Sequence, residues 1–196
     1  MMWINVLIVL LLSFGESRAQ DVLTQITKRI DKTGITQGYF RQEKRLRVLK
    51  NPLISTGEFT YHWSKGVIWK TLTPAPSLLL INEARLLTAQ GEQALPIAFG
   101  KVFKAMLGGD LSQLTEGFEI TGSNGKPAWK IQLTPKDELL KKIIAGMQLS
   151  GDKDLRVLEI SEANGNRSRI AFDQITHPAE LTPNQEADFV RLSSPN

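Results

Sequence analysis

The chain has 196 residues, 41% of them hydrophobic and 22% charged, with a formal net charge of +4 and no cysteine. That length suits one domain with a sizeable core, and the balance excludes a disordered tail, a collagen-like chain and a multi-span membrane protein. Without cysteine, disulfide scaffolds, thiolate-ligated zinc, thiolate nucleophiles, iron–sulfur clusters and a lipidated N-terminal cysteine are all excluded.

The apolar stretch from Met1 to Phe14 centres on Val6–Leu12. It is shorter than the ~20 residues a spanning helix needs. A polar break at Gly15-Glu16-Ser17 and a small-residue site at Ser17-Arg18-Ala19 follow. The segment reads as an export signal, residues 1–19, cleaved after Ala19, although no Lys or Arg precedes the apolar run. Residues 20–196 are then expected to form one domain in the periplasm.

Val22, Leu23, Ile26 and Ile30 recur at helical spacing, with Asp21 as the expected cap and Gly34 as the stop. From Thr36 the period becomes two. Phe40 alternates with its neighbours, then Phe59, Tyr61 and Trp63 do the same. Short strands at Val67–Trp69, Leu78–Ile81 and Arg85–Thr88 are separated by Pro, Gly and Asn turn signals. Residues 94–107 break this pattern. Leu95, Phe99, Val102, Phe103, Met106 and Leu107 fall on one helical stripe, and Gly108-Gly109 ends it. A short helix is expected at 136–142, and strands return at 116–122, 127–133, 143–150, 154–161 and 167–175, with Asn164-Gly165 as a hairpin signal. The class is mainly β: a curved antiparallel sheet of about ten strands, covered by a few helices.

Catalytic patterns are missing. Gly122-Ser-Asn-Gly125-Lys126 lacks the spacing of a phosphate loop and reads as a hairpin turn. His62 and His177 are the only histidines, and neither sits in a recognisable nucleophile or metal motif. No enzyme activity, cofactor or metal is expected.

Arg41, Lys44, Arg45, Arg47 and Lys50 place five cations within ten residues. An exported protein has little use for nucleic acid. Two readings stand: a charged strand edge that resists aggregation, or a rim that steers an acidic partner or anionic lipid. The stripe of 95–107 also has two readings, fixed core or a lid over an apolar cavity, since a curved sheet needs something apolar in its concave face.

Three motifs in the first half go further. Phe40-Arg41-Gln42, then Pro52-Leu-Ile-Ser55-Thr-Gly57, then Gly66-Val-Ile-Trp69 with Pro74 resemble the outer-membrane lipoprotein carrier family, LolA-like, in a divergent branch. The order of elements over residues 22–190 is also similar. The resemblance implies an incomplete antiparallel β-barrel closed by helices, LolA/LolB-like, with a hydrophobic cavity for acyl chains. It further implies no catalytic residues, a lipid-modified protein or other amphiphile as cargo, an inner-membrane donor, an outer-membrane acceptor, and a monomer. Phe40, Phe59, Trp69 and Leu80 would line the cavity from the sheet, and the 95–107 stripe would be the lid. Family members carry an arginine just before the strand tryptophan as a latch to that lid; the basic residue here is Lys65, which lacks arginine's planar fork. Alternatives on the same fold are a carrier of a glycolipid or similar amphiphile, and a non-enzymatic sensor or interaction module.

Overall fold

The computed structural model describes residues 21–30, 34–82, 85–88, 91–94 and 97–193; for 92–94, 97–99 and 192–193 it describes the backbone alone. The expected export signal and Leu95 lie outside the described residues. No described helix is long and apolar enough to cross a membrane.

Among the described residues, eleven strands form one antiparallel sheet: β1 (Ile35–Arg45), β2 (Leu53–His62), β3 (Gly66–Thr73), β4 (Ser77–Ile81), β5 (Arg85–Thr88), β6 (Gly91–Ala94), β7 (Phe118–Ser123), β8 (Trp129–Pro135), β9 (Ile144–Gly151), β10 (Leu155–Glu162) and β11 (Arg167–Thr176). Two meanders, β1 to β6 and β7 to β11, join where β1 pairs with β11. β6 and β7 are the free edges, so the sheet curls without closing. The helices are α1 (described over 21–27), α2 (Ile97–Gly108), α3 (Glu138–Lys141) and α4 (Pro183–Ser193), with a 3₁₀ turn at Leu111–Thr115. α2 and the 3₁₀ turn are the connection between the two edges.

One face of the sheet is the core. The cross-strand partners Phe59 and Trp69, Phe40 and Phe172, Leu158 and Ile170, Leu149 and Ile131 all point to it. Leu23 and Ile26 of α1 pack into the same core, and Arg29 just beyond α1 donates to Asn124 Oδ1 (2.7 Å) and to the carbonyls of Gly125 and Pro127 in the β7–β8 turn. Period-two alternation is therefore what the curled sheet requires: its inner side buries side chains and its outer side mostly meets water.

Three local expectations are corrected. Asp21 is already helical, so it does not cap α1. Gly91–Ala94 is a strand, β6, and the following helix begins at Ile97 rather than 94. α4 was not expected from the periodicity. Its start is a capping box: Gln185 N–H donates to Thr182 Oγ1, and Thr182 N–H donates to Gln185 Oε1 (2.9 Å), with Pro183 in the first turn. α4 packs on the outer face of β3 and β4, where Phe189, Ile68 and Leu80 form a second small core.

Candidate functional site

The concave face of β1 to β3 and β11 carries an aromatic floor. Phe40 and Trp69 stack with centroids 3.9 Å apart. Phe172 meets Phe59 edge-on at 5.3 Å and Trp69 at 6.1 Å. Close approach is what makes the stack possible. A Cβ at Gly57, cross-strand from Phe40, would lie 2.7 Å from the Phe40 ring and would clash with the Lys70 carbonyl. Gly57→Val is accordingly expected to cost roughly 1–3 kcal/mol or more by overpacking, read as a lowered urea midpoint.

α2 lies on this floor, against β1, β2 and β3. Val102, Ala105, Met106 and Leu107 are buried in the common core, and Phe103 is half-buried with its ring edge-on to Trp69 at 6.1 Å. The helix stops where Gly109 takes a left-handed φ of 75°, a conformation that favours glycine. Tyr61 packs beside Gly108, and its burial, with the Asp110 charge second, pushes its hydroxyl pKa up. A cavity of about 290 Å³ opens beside α2. Its base includes Val67 and Ile81, both core residues, and its rim includes Lys65, Arg85 and Lys104.

The structure brings together most of the residues singled out from sequence. Phe40, Phe59, Trp69, Val102, Phe103, Met106 and Leu107 share one apolar cluster. Only the backbone of Phe99 is described. Leu80 is a correction: it pairs with Ile68, not with Trp69, and belongs to the outer core under Phe189. Its inward-facing neighbours are Leu79 and Ile81. Sequence reading missed Phe172, whose cross-strand pairing with Phe40 joins segments far apart in the chain.

Lys65 has a partner far along the chain. It binds Glu186 of α4 in an ion pair and lies 6.0 Å from the centre of the Phe189 ring. The lysine fastens α4 to the β2–β3 turn, and it also lines the cavity beside α2 together with Gly100 and Lys104. His62 joins this contact, with its ring near Phe189, and its Nδ1 accepts from Ser64 N–H at 3.2 Å. Burial first, then the Lys65 charge, lowers the His62 pKa, against the opposing pull of Glu186. A folded-state value below the ordinary one means that the unfolded chain takes up the proton more readily. This contribution to stability is full above the ordinary histidine pKa of about 6.5 and is lost as pH falls from there through the lower folded-state value. Exchange of the α4 amides relative to the sheet is expected to be faster at pH 5 than at pH 7.5, and His62→Gln should flatten that dependence.

The basic run spans the end of β1 and the tip of the β1–β2 hairpin. Glu43 pairs with Arg45 (2.7 Å) and Arg41 (3.9 Å), and Glu162 pairs with Lys44 (3.0 Å). Burial acts to raise the Glu162 pKa, but Lys44 and the Asn166 and Asn164 amides outweigh it and hold the carboxyl low. Arg47 instead donates to the Asn164 carbonyl (3.4 Å). At the other end of the sheet, His177 Nε2 meets Asp154 Oδ1 at 2.9 Å and its Nδ1 meets Thr36 Oγ1 at 3.3 Å. Thr36 is buried, so this chain ties the end of β11 to β1 and to the β9–β10 turn. Among the described residues, no group of three or more His, Asp or Glu is placed to hold a metal ion.

The family model described as outer membrane lipoprotein carrier protein LolA matches residues 31–185. A LolA superfamily protein from Nitrosomonas europaea is similar in fold, with a TM-score of 0.50 at 10% identity, covering 86% of this chain and 96% of its own. A domain named for outer membrane lipoprotein sorting, from Vibrio parahaemolyticus, has a TM-score of 0.51 at 10% identity, covering 90% and 98%. No curated protein sequence matches significantly.

Proposed function

The chain belongs to the LolA family of outer membrane lipoprotein carrier proteins, and from that premise we propose that it is a non-enzymatic periplasmic carrier of acyl chains. Residues 20–196 are the working unit, exported by the segment before them. The cargo is a lipid-modified protein, passed from an inner-membrane donor toward an outer-membrane acceptor. The observation that carries this reading is the seating of the α2 stripe on the aromatic floor, above all Phe103 on Trp69.

Magnitudes make the exchange workable. Burying Val102, Met106 and Leu107 is worth about 1.5–3 kcal/mol each, and the half-buried Phe103 adds roughly half as much, about 5–10 kcal/mol together. An acyl chain of roughly fifteen carbons gains about 12 kcal/mol on burial, at ~0.8 kcal/mol per CH₂. If the chain displaces α2 from the same floor, one apolar contact set replaces another of similar size. Net affinity stays moderate, and the cargo can leave again. A cavity without such a competitor would hold the chain too tightly to release it.

A second reading, a carrier of a glycolipid or other lipid-like amphiphile, is favoured by the cavity rim. Lys65, Arg85 and Lys104 surround an apolar base, which suits an anionic headgroup. Mass spectrometry of amphiphiles extracted from protein purified from the periplasm tests both. Acylated peptides or lipoproteins are the expected result, and an anionic glycolipid would select the second reading. Protein that carries neither, and that leaves a fluorescent fatty acid unbound in solution, contradicts both.

A further inference from the structure

The tip of the β1–β2 hairpin lies at the end of the sheet away from the cavity beside α2. Between Arg45 and Leu53 the chain makes a tight turn, with Leu49 N–H donating to the Leu46 carbonyl at 3.0 Å. Four aliphatic side chains stand out there in water. Val48 is 88% exposed, Leu53 51%, Leu49 46% and Ile54 37%. Scattered exposed aliphatics are ordinary, but four within seven positions on one protruding tip form a patch.

Cations surround that patch. Arg47 and Lys50 belong to the tip itself, and neither is paired to a carboxylate among the described residues. Arg45 sits directly across from Arg167 in the β1–β11 ladder. Like charges placed opposite one another in a sheet destabilise it. Glu43 offsets Arg45, and Arg167 has no carboxylate partner among the described residues. An external anion at this end would relieve the repulsion.

The geometry points to a membrane-contact element: the β1–β2 tip seats on an anionic phospholipid surface, with Val48 and Leu49 entering the headgroup layer and Arg45, Arg47, Lys50 and Arg167 meeting phosphates. The shape favours a bilayer over a protein partner. A protruding aliphatic tip needs a complementary pocket on a protein, whereas a headgroup layer accepts it without one. Cations near an anionic leaflet and partly inserted aliphatics act together, as in interfacial anchors. The contact is independent of cargo, because the aromatic floor and α2 lie elsewhere.

The chain has no cysteine, so Val48→Cys gives a unique site for an environment-sensitive fluorophore. Lys126→Cys, in the exposed β7–β8 turn at the opposite end, is the control. The probes are vesicles of one part phosphatidylglycerol to two parts phosphatidylethanolamine, and vesicles of phosphatidylcholine alone. The label at 48 is expected to shift to the blue with the anionic vesicles only, and the label at 126 to stay unchanged. In flotation assays, Val48→Ser with Leu49→Ser, and separately Arg47→Glu with Lys50→Glu, should each weaken partitioning about ten-fold, as should raising the salt well above physiological. These positions are exposed, so the thermal midpoint should hold. Absence of the blue shift, an equal shift with phosphatidylcholine, or parent-like flotation of the charge-reversed variant overturns the proposal. The first of these outcomes would leave an acidic protein surface as the partner of the cations.

Discussion

Phe103→Asp is expected to leave the protein folded and to tighten its binding of a fluorescent fatty acid by about ten-fold. The substitution puts a carboxylate at a half-buried position against Trp69. If α2 were fixed core, the charge would be held against the aromatic floor, so the protein would lose stability and bind the fatty acid no more tightly. A lid has another course: it swings out and hydrates the charge. The sheet then keeps Trp129, Ile131, Leu133, Leu149 and Leu158, all fully buried on β8 to β10, away from the strands β1 to β3 against which α2 packs. With the competitor weakened, a larger fraction of molecules offers an open floor, and each ten-fold gain in that fraction is about 1.4 kcal/mol. Thermal denaturation and a binding titration on one preparation read both arms.

Trp129→Ala should produce the largest loss of stability, about 3–5 kcal/mol, with binding per folded molecule unchanged. Trp129 is fully buried, and its indole N–H donates to the Asp152 carbonyl at 2.9 Å. Its ring also lies against Gly151, its cross-strand partner, where a Cβ would come within 2.8 Å of the indole. Truncation leaves a cavity and an acceptor without its donor. Trp129→Phe retains most of the packing and should cost much less, with about 1 kcal/mol for the hydrogen bond. Urea unfolding followed by circular dichroism separates the two. Equal midpoints for Trp129→Ala and the parent would contradict the assignment of the main core to this half of the sheet.

How far the sequence discloses this structure depends on the reach of each interaction. Strands such as β8, Trp129–Pro135, alternate cleanly because one face is buried and the other wet. β4 hides its faces: Leu78–Ile81 is apolar throughout, because α4 covers the outer side that water covers elsewhere. Leu80 cannot be assigned without α4, and α4 is visible only as the capping box Thr182-Pro183-Asn184-Gln185. Lys65 was legible as a cation before Trp69, but its partner Glu186 lies 121 residues away. β6, Gly-Glu-Gln-Ala, is too short and too polar to announce a strand; the ladder to β5 makes it one. The apolar stripe of α2 and the floor residues Phe40, Phe59 and Trp69 are legible, since helical and strand periods reveal one-sided burial wherever only one side is covered.

Hydrogen exchange resolved along the chain, with and without a fatty acid, tests the central claim most directly. Local opening is read as exchange well ahead of the globally protected amides. Amides of residues 100–107 are expected to exchange before those of β8, β9 and β10, and to change rate when the fatty acid binds, while the strands do not. Protection of 100–107 equal to that of the strands, and unmoved by the fatty acid, would make α2 fixed core and contradict a lid that trades places with cargo.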